Sequence, residues 1–294
     1  MGAHAKEFHD ERRSGIGGSD VAPILGLPNP GNRTALQVWA EKTGRATDAP
    51  DNTYLRRGRR LEPVVSEEYA EETGRSVLIE TKHFVHPTIL YLVGHIDRLI
   101  VDPERDPEDL GVLEAKSANA FMSRAWEDEA PLAAQVQLQH YLLVTGRKWG
   151  SVAGLIGGLE FKYQDLELNQ DLIDGWLLRA EDFWRHVTDD TPPDPVAADA
   201  KVIGRIFEAI EGKSVDLPDE AIQWDLDRLA AATEIKRFTE LKEEAEAKLK
   251  FAIGQAERGK LPTGVVYSFK TTQRKGYTVE PTSYRDFRRS ASGK

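Results

Sequence analysis

A chain of 294 residues, 30% charged and 40% hydrophobic with 24 Gly and 15 Pro, is long enough to bury a sizeable core, which excludes collagenous, low-complexity and disordered classes. It has no cysteine, so thiol nucleophiles, Cys-ligated zinc and iron–sulfur clusters are excluded and any metal must sit on oxygen or imidazole; with no apolar run of roughly 20 residues and no apolar signal core at the N-terminus, a reducing cytosol and no membrane are expected. The net charge of −10 argues against bulk coating of nucleic acid but is segregated: residues 216–246 carry ten acids against four bases, residues 270–294 seven bases against two acids.

In chain order, Gly15-Ile-Gly-Gly-Ser-Asp20 leads into a short apolar segment, with Ser19 placed to cap a helix. Residues 34–43 form an amphipathic helix through Leu36, Val38 and Trp39, stopped by Gly44. Leu61, Val64, Val65 and Tyr69 recur at helical spacing, with Pro63 in the first turn and Gly74 just past the end. From Val77 the period falls toward two, through Ile79, Phe84 and Val85, and an apolar run over 89–101 continues the strands. The charged segment 102–109 and the run from Gly111 to Ala115 then make a hairpin with a long loop. Pro131 opens a helix that reaches Val144 and stops at Gly146, two strand-like runs surround Gly157-Gly158, and residues 169–187 form another amphipathic helix. The Pro-rich breaker over 188–195 ends the main domain, expected to span 1–190. Residues 191–224 read as linker with a short helix, and 225–294 as a helical arm that ends in a basic β element paired from 265–271 and 277–279.

One constellation carries chemistry. Side chains alternate along a strand, so Glu114 and Lys116 share a face. If Val101 lies opposite Val112, Leu99 faces Glu114 and Asp97 faces Lys116, which makes Asp97 and Glu114 diagonal neighbours about 7–8 Å apart. Two such carboxylates repel, and a hard divalent cation, Mg²⁺ or Mn²⁺, relieves the repulsion and can lower the pKa of a bound water. Lys116 could orient that water or stabilise the transition state, and Glu62, on the inward edge of its helix, is a third carboxylate. The plainer alternatives are an edge-strand ion pair between Glu114 and Lys116 and, for Glu62, an acid complementing a helix dipole. The Gly-rich segment with Ser19 and the upstream Arg12 is an anion site or a simple capped turn. Arg56, Arg57, Arg59 and Arg60, just before Glu62, are phosphate-backbone contacts or a solvated face. The histidines show no metal spacing, and His95 is best taken as an edge histidine.

Taken together, Gly15-Ile-Gly-Gly-Ser-Asp20, Gly58-x-x-x-Glu62, Gly94-x-x-Asp97, Glu114-Ala-Lys116 and Gln135-Val-Gln-Leu-Gln-His-Tyr141 resemble the YqaJ-type viral recombinase family, related to the lambda-type phage exonucleases of the PD-(D/E)XK superfamily. The resemblance covers residues 12–158 and is fainter in the last seventy. It implies an α/β fold: a restriction-endonuclease-like core with a central mixed sheet flanked by helices. It further implies a Mg²⁺-dependent 5′-to-3′ exonuclease on linear double-stranded DNA, working with a single-strand annealing protein and as a homo-oligomer, trimer ahead of tetramer. On the same resemblance Glu62, Asp97, Glu114 and the Ala115 carbonyl are metal ligands, Lys116 is the catalytic lysine, and Gln137, ahead of Gln135, is the glutamine beside the site. Arg12 and Ser19 would hold a 5′ phosphate, with Arg57 and Arg60 on DNA. The family's proline before the first acid is absent, Ile96 preceding Asp97. A restriction- or repair-type endonuclease and an inactive DNA-end-binding adaptor remain alternatives.

Overall fold

The computed structural model describes residues 12–46, 53–96, 98–207 and 209–273, and they fold into helices α1 (Gly18–Ile24), α2 (Ala35–Lys42) and α3 (Thr53–Thr73) followed by strands β1 (Ser76–Ile79), β2 (His83–Val85), β3 (Val93–His95), β4 (Arg98–Val101) and β5 (Gly111–Ala118). Then come α4 (Leu132–Thr145), β6 (Trp149–Ile156), β7 (Glu160–Glu167), α5 (Gln170–Thr188), α6 (Ile203–Ile206), α7 (Glu220–Ile253), β8 (Arg258–Lys260) and β9 (Val266–Ser268). The chain divides into two units, 1–208 and 209–294.

The first unit is built on a sheet of order β1-β4-β5-β6-β7, in which only β5 and β6 run parallel. A parallel neighbour requires a crossover, and α4 supplies it. Leu138 and Leu142 of α4 pack on Leu99, Val112 and Val152 on one sheet face, while Val65 and Tyr69 of α3 pack on Ile100, Leu113 and Ala153 on the other. Helix α4 carries apolar residues on two sides because its back is covered too: Val136 and Val144 join Ile16, Trp39, Trp176 and Phe183 beneath α1, α2 and α5. With both faces of the sheet covered, β6 is buried along its whole length. Gly146 and Gly74, at φ of 70°, stop α4 and α3 in the left-handed region where Cβ is penalised.

The structure corrects several sequence expectations. Helix α3 starts ten residues before Pro63, which lies in its interior; the Arg, Leu and Glu around it are strong helix formers, and their summed propensity outweighs one residue that costs about 3 kcal/mol. Gly17 caps α1, and its N–H donates to Asp20 at 3.1 Å, so Ser19 is an exposed first-turn residue and not the cap. In the hairpin, Leu99 lies opposite Val112 and Arg98 opposite Leu113, a register two residues from the expected one. Directly after β4 the Asp102 carboxylate accepts the Glu104 N–H at 2.9 Å and turns the chain. A two-residue shift keeps the faces, so Glu114 and Lys116 still share the Val112 side. The first unit also runs past residue 190. Thr34 Oγ1 donates to the fully buried Asp199 at 2.5 Å, and Ile206 is part of the core around Trp39.

In the second unit α7 is laced by i,i+4 ion pairs such as Lys248 with Glu244 at 2.6 Å. β9 pairs antiparallel with β8. Residues 277–279, expected as its partner, lie outside the described residues. No described helix is long and apolar enough to cross a membrane.

Candidate active site

Strand β5 delivers Glu114 and Lys116 to the α4 side of the sheet, where Glu114 is only 7% exposed. A buried carboxylate is costly unless paired, and the Lys116 ammonium bridges to Glu114 Oε1. The same ammonium donates to Gln137 Oε1 at 3.0 Å, and Gln137 Nε2 donates to the Tyr141 hydroxyl at 3.0 Å. Gln137 and Tyr141 are one turn apart on α4 and so stack on one helix face. The result is a chain from Glu114 through Lys116 and Gln137 to Tyr141. Gln135 is turned elsewhere, its amide donating to the Ala130 carbonyl at 2.7 Å. The choice between the two glutamines thus falls on Gln137 as the partner of Lys116.

Glu62 lies half-buried on α3, its carbonyl accepting from Ser66 Oγ at 2.8 Å. That helix packs on the sheet face of Leu113 and Ala115, opposite to the face of Glu114 and Lys116. Arg56, Arg57, Arg59 and Arg60 are exposed on α3 ahead of it. Asp97 lies outside the described residues, so the carboxylate pair it would form with Glu114 does too. Among the described residues no three of His, Asp and Glu gather into a cation cage. The described donor is one buried carboxylate, Glu114, an oxygen ligand of the kind a hard divalent cation takes.

The Gly-rich segment closes over this chain of side chains. A Cβ on Gly18 would lie 2.6 Å from the Tyr141 ring and 3.1 Å from Gln137 Cγ, so only glycine lets α1 approach α4 so closely. Beneath the segment is a buried charge cluster that periodicity did not indicate. Asp20, 1% exposed, pairs with Lys42 at 2.6 Å and Arg33 at 3.1 Å, and Arg33 also reaches Glu41 at 2.5 Å. Burial pushes the Asp20 carboxyl up, but Lys42 and Arg33 outweigh it and hold the group well below the usual carboxylate range. Burial lifts Glu41 in spite of Arg33. The Arg12 charge adds to the lowering of Asp20 and opposes the rise of Glu41. The available signal was a run of charged residues flanking apolar helix positions, which is ordinarily a solvated face.

Three of the described histidines pack within the fold. His140 is fully buried, with Nε2 2.8 Å from the Val93 carbonyl and Nδ1 accepting the Trp176 indole N–H at 3.3 Å, which fits only the neutral ring. His83 and His95 face each other across β2 and β3 with ring centroids 4.4 Å apart.

Residues 7–148 match the family model of the YqaJ-like viral recombinase domain. An uncharacterized Bacillus subtilis (strain 168) protein, YqaJ, is 31% identical over 264 residues, which is 86% of this chain and 79% of that protein. Among solved structures, an alkaline exonuclease from Laribacter hongkongensis superposes with a TM-score of 0.51 at 21% identity, covering 63% of this chain and 94% of the exonuclease. Its complex with dAMP gives 0.52 at 20% identity and the same coverage. The central mixed sheet with its flanking helices is the PD-(D/E)XK arrangement expected from the sequence.

Proposed function

The chain belongs to the YqaJ-like viral recombinase family, and from that premise we propose that it is a Mg²⁺-dependent 5′-to-3′ exonuclease on linear double-stranded DNA, Mn²⁺ substituting, that leaves a 3′ single strand for an annealing protein in phage-type recombination. The observation that carries the proposal is the buried Glu114 with Lys116 held between it and Gln137 on a parallel strand pair. The similarity to alkaline exonuclease structures supports the same reading at the level of fold.

Asp97, Glu114 and the Ala115 carbonyl would hold the cation, which supplies Lewis acidity and neutralises charge building on the phosphate; Glu62 would have to join them around the end of β5, since α3 packs on the opposite face of the sheet. Lys116 is held in one orientation by an acid and an amide, so its ammonium offers a fixed donor to a water or to a phosphoryl oxygen. Gln137 cannot turn away without breaking its bond to Tyr141. Arg57 and Arg60 meet the backbone phosphates of the duplex, and Arg12 with Ser19 binds the terminal 5′ phosphate.

Digestion of linear and circular duplex DNA with and without Mg²⁺ is the test. Release of 5′-terminal nucleotides from the linear form alone, and not without added metal, is expected. Cutting of circles would make the protein an endonuclease, and absence of any metal-dependent release would make it an end-binding adaptor; either result overturns the proposal. The working form is proposed to be a homo-oligomer, trimer ahead of tetramer, which a monomer by light scattering would refute.

A further inference from the structure

Lys42 does something that an ordinary ion pair does not require. It closes α2 with a side chain 3% exposed, and its ammonium lies 2.6 Å from Asp20 Oδ2 and also 2.6 Å from the main-chain carbonyl of Arg12. Asp20 accepts the Gly17 N–H at 3.1 Å, and Arg33 reaches the Ser19 carbonyl at 3.3 Å. Main-chain atoms of residues 12, 17 and 19 are therefore tied to one buried acid–base cluster. Pairing with Asp20 would satisfy the charge of Lys42; the additional bond fixes the backbone that carries Arg12.

We propose that Lys42 is a positioning residue for the DNA end: by holding the Arg12 main chain against Asp20, it sets where the Arg12 guanidinium stands relative to the Ser19 hydroxyl, and through that the preference for a 5′-phosphorylated duplex. This rests on Arg12 and Ser19 being the phosphate contacts proposed above. Lys42 itself meets no substrate. It is buried, and both of its bonds are to protein atoms.

The experiment compares duplexes bearing a 5′ phosphate or a 5′ hydroxyl at matched salt, by degradation rate in Mg²⁺ and by binding in EDTA. The wild-type protein is expected to favour the phosphorylated end roughly tenfold or more in both readouts, as a charge-assisted contact allows. Lys42→Met should bring that ratio toward one while the rate on the hydroxyl end is kept, and Lys42→Arg, which retains a donor to the Arg12 carbonyl, should restore most of it. In an Arg12→Ala background Lys42→Met should change the ratio no further. Because methionine leaves Asp20 short of a partner, Asp20→Asn/Lys42→Met, which removes both charges, is measured beside it and should give the same ratio. A wild-type protein with no preference overturns the reading of Arg12 and Ser19. A preference abolished by Arg12→Ala but intact in Lys42→Met and in the double variant overturns the role of Lys42 alone.

Discussion

Gln137 and Gln135 are two residues apart on one helix, and their surroundings give them different work. Gln137 accepts from Lys116 and donates to Tyr141, while Gln135 ties down the Ala130 carbonyl. Gln137→Leu is therefore expected to lower Mg²⁺-dependent turnover at least about tenfold by releasing Lys116, with the melting temperature nearly unchanged. Gln135→Leu should keep turnover and lose about 1 kcal/mol of stability through the unpaired carbonyl. Steady-state kinetics and melting of both variants check this; equal kinetic effects would remove Gln137 from the site. His140 makes a second prediction at this scale. Burial lowers its pKa from 6.5 to about 4, against the Val93 hydrogen bond that raises it. Between those values the unfolded chain binds a proton that the folded chain does not, so stability rises with pH across this window and is lost as pH falls through it. The full effect is roughly 3 kcal/mol. The Asp20 contribution has the same sign but fades below its ordinary 3.8, outside the window from pH 5 to 6.5; within it His86, lowered by burial, adds to the slope and Glu41, lifted by burial, opposes it, so the share of His140 is the change in urea-unfolding slope that its replacement makes. His140→Gln, which can still donate to Val93, should flatten the slope there, and an unchanged slope would mean that the ring is not held neutral.

Helices α1 and α4 show why close approach, and not helix propensity, governs the Gly-rich segment. Gly18→Ala would push a methyl group to 2.6 Å from the Tyr141 ring, and α1 must shift to admit it. A loss of about 1–3 kcal/mol follows, together with loss of activity because Gln137 lies under the same contact. Gly58 lies on α3 with nothing within 4 Å of a built Cβ. There Gly58→Ala should stabilise the protein by about 0.5–1 kcal/mol. Denaturant melts of the two variants should move in opposite directions; a neutral Gly18→Ala would show that α1 is not locked to α4. The same element-level comparison explains Pro63. A proline that looks like a helix start from its own preference sits inside a helix because its neighbours favour helix on both sides.

Over the whole molecule, the Pro-rich breaker after α5 marks a change of direction and not the edge of the folded unit. Residues beyond it return to the core through Asp199, bonded to Thr34, and Ile206, packed near Trp39. A chain cut after residue 190 should lose roughly 3–6 kcal/mol from these two contributions. A chain cut after residue 208 should retain the stability of the first unit. Urea titration of both truncations decides it, and equal stability would return the boundary to 190.

Periodicity and helix-stop glycines were enough to specify α2, α4, α5, β6 and β7 to within a few residues, because in those segments local pattern and tertiary burial demand the same thing. Alternation along β5 likewise placed Glu114 and Lys116 on one face before any partner was known, and a two-residue register shift could not change that. Tertiary structure alone decided the rest. Which glutamine meets Lys116 depends on where α4 lies on the sheet, and the Asp20, Arg33 and Lys42 cluster exists only because α1 and α2 are packed close enough to exclude water from charges that in isolation belong on a surface. Burial turns three unremarkable charged positions into a fixed support, and burial is a property of the assembled fold and not of the local sequence.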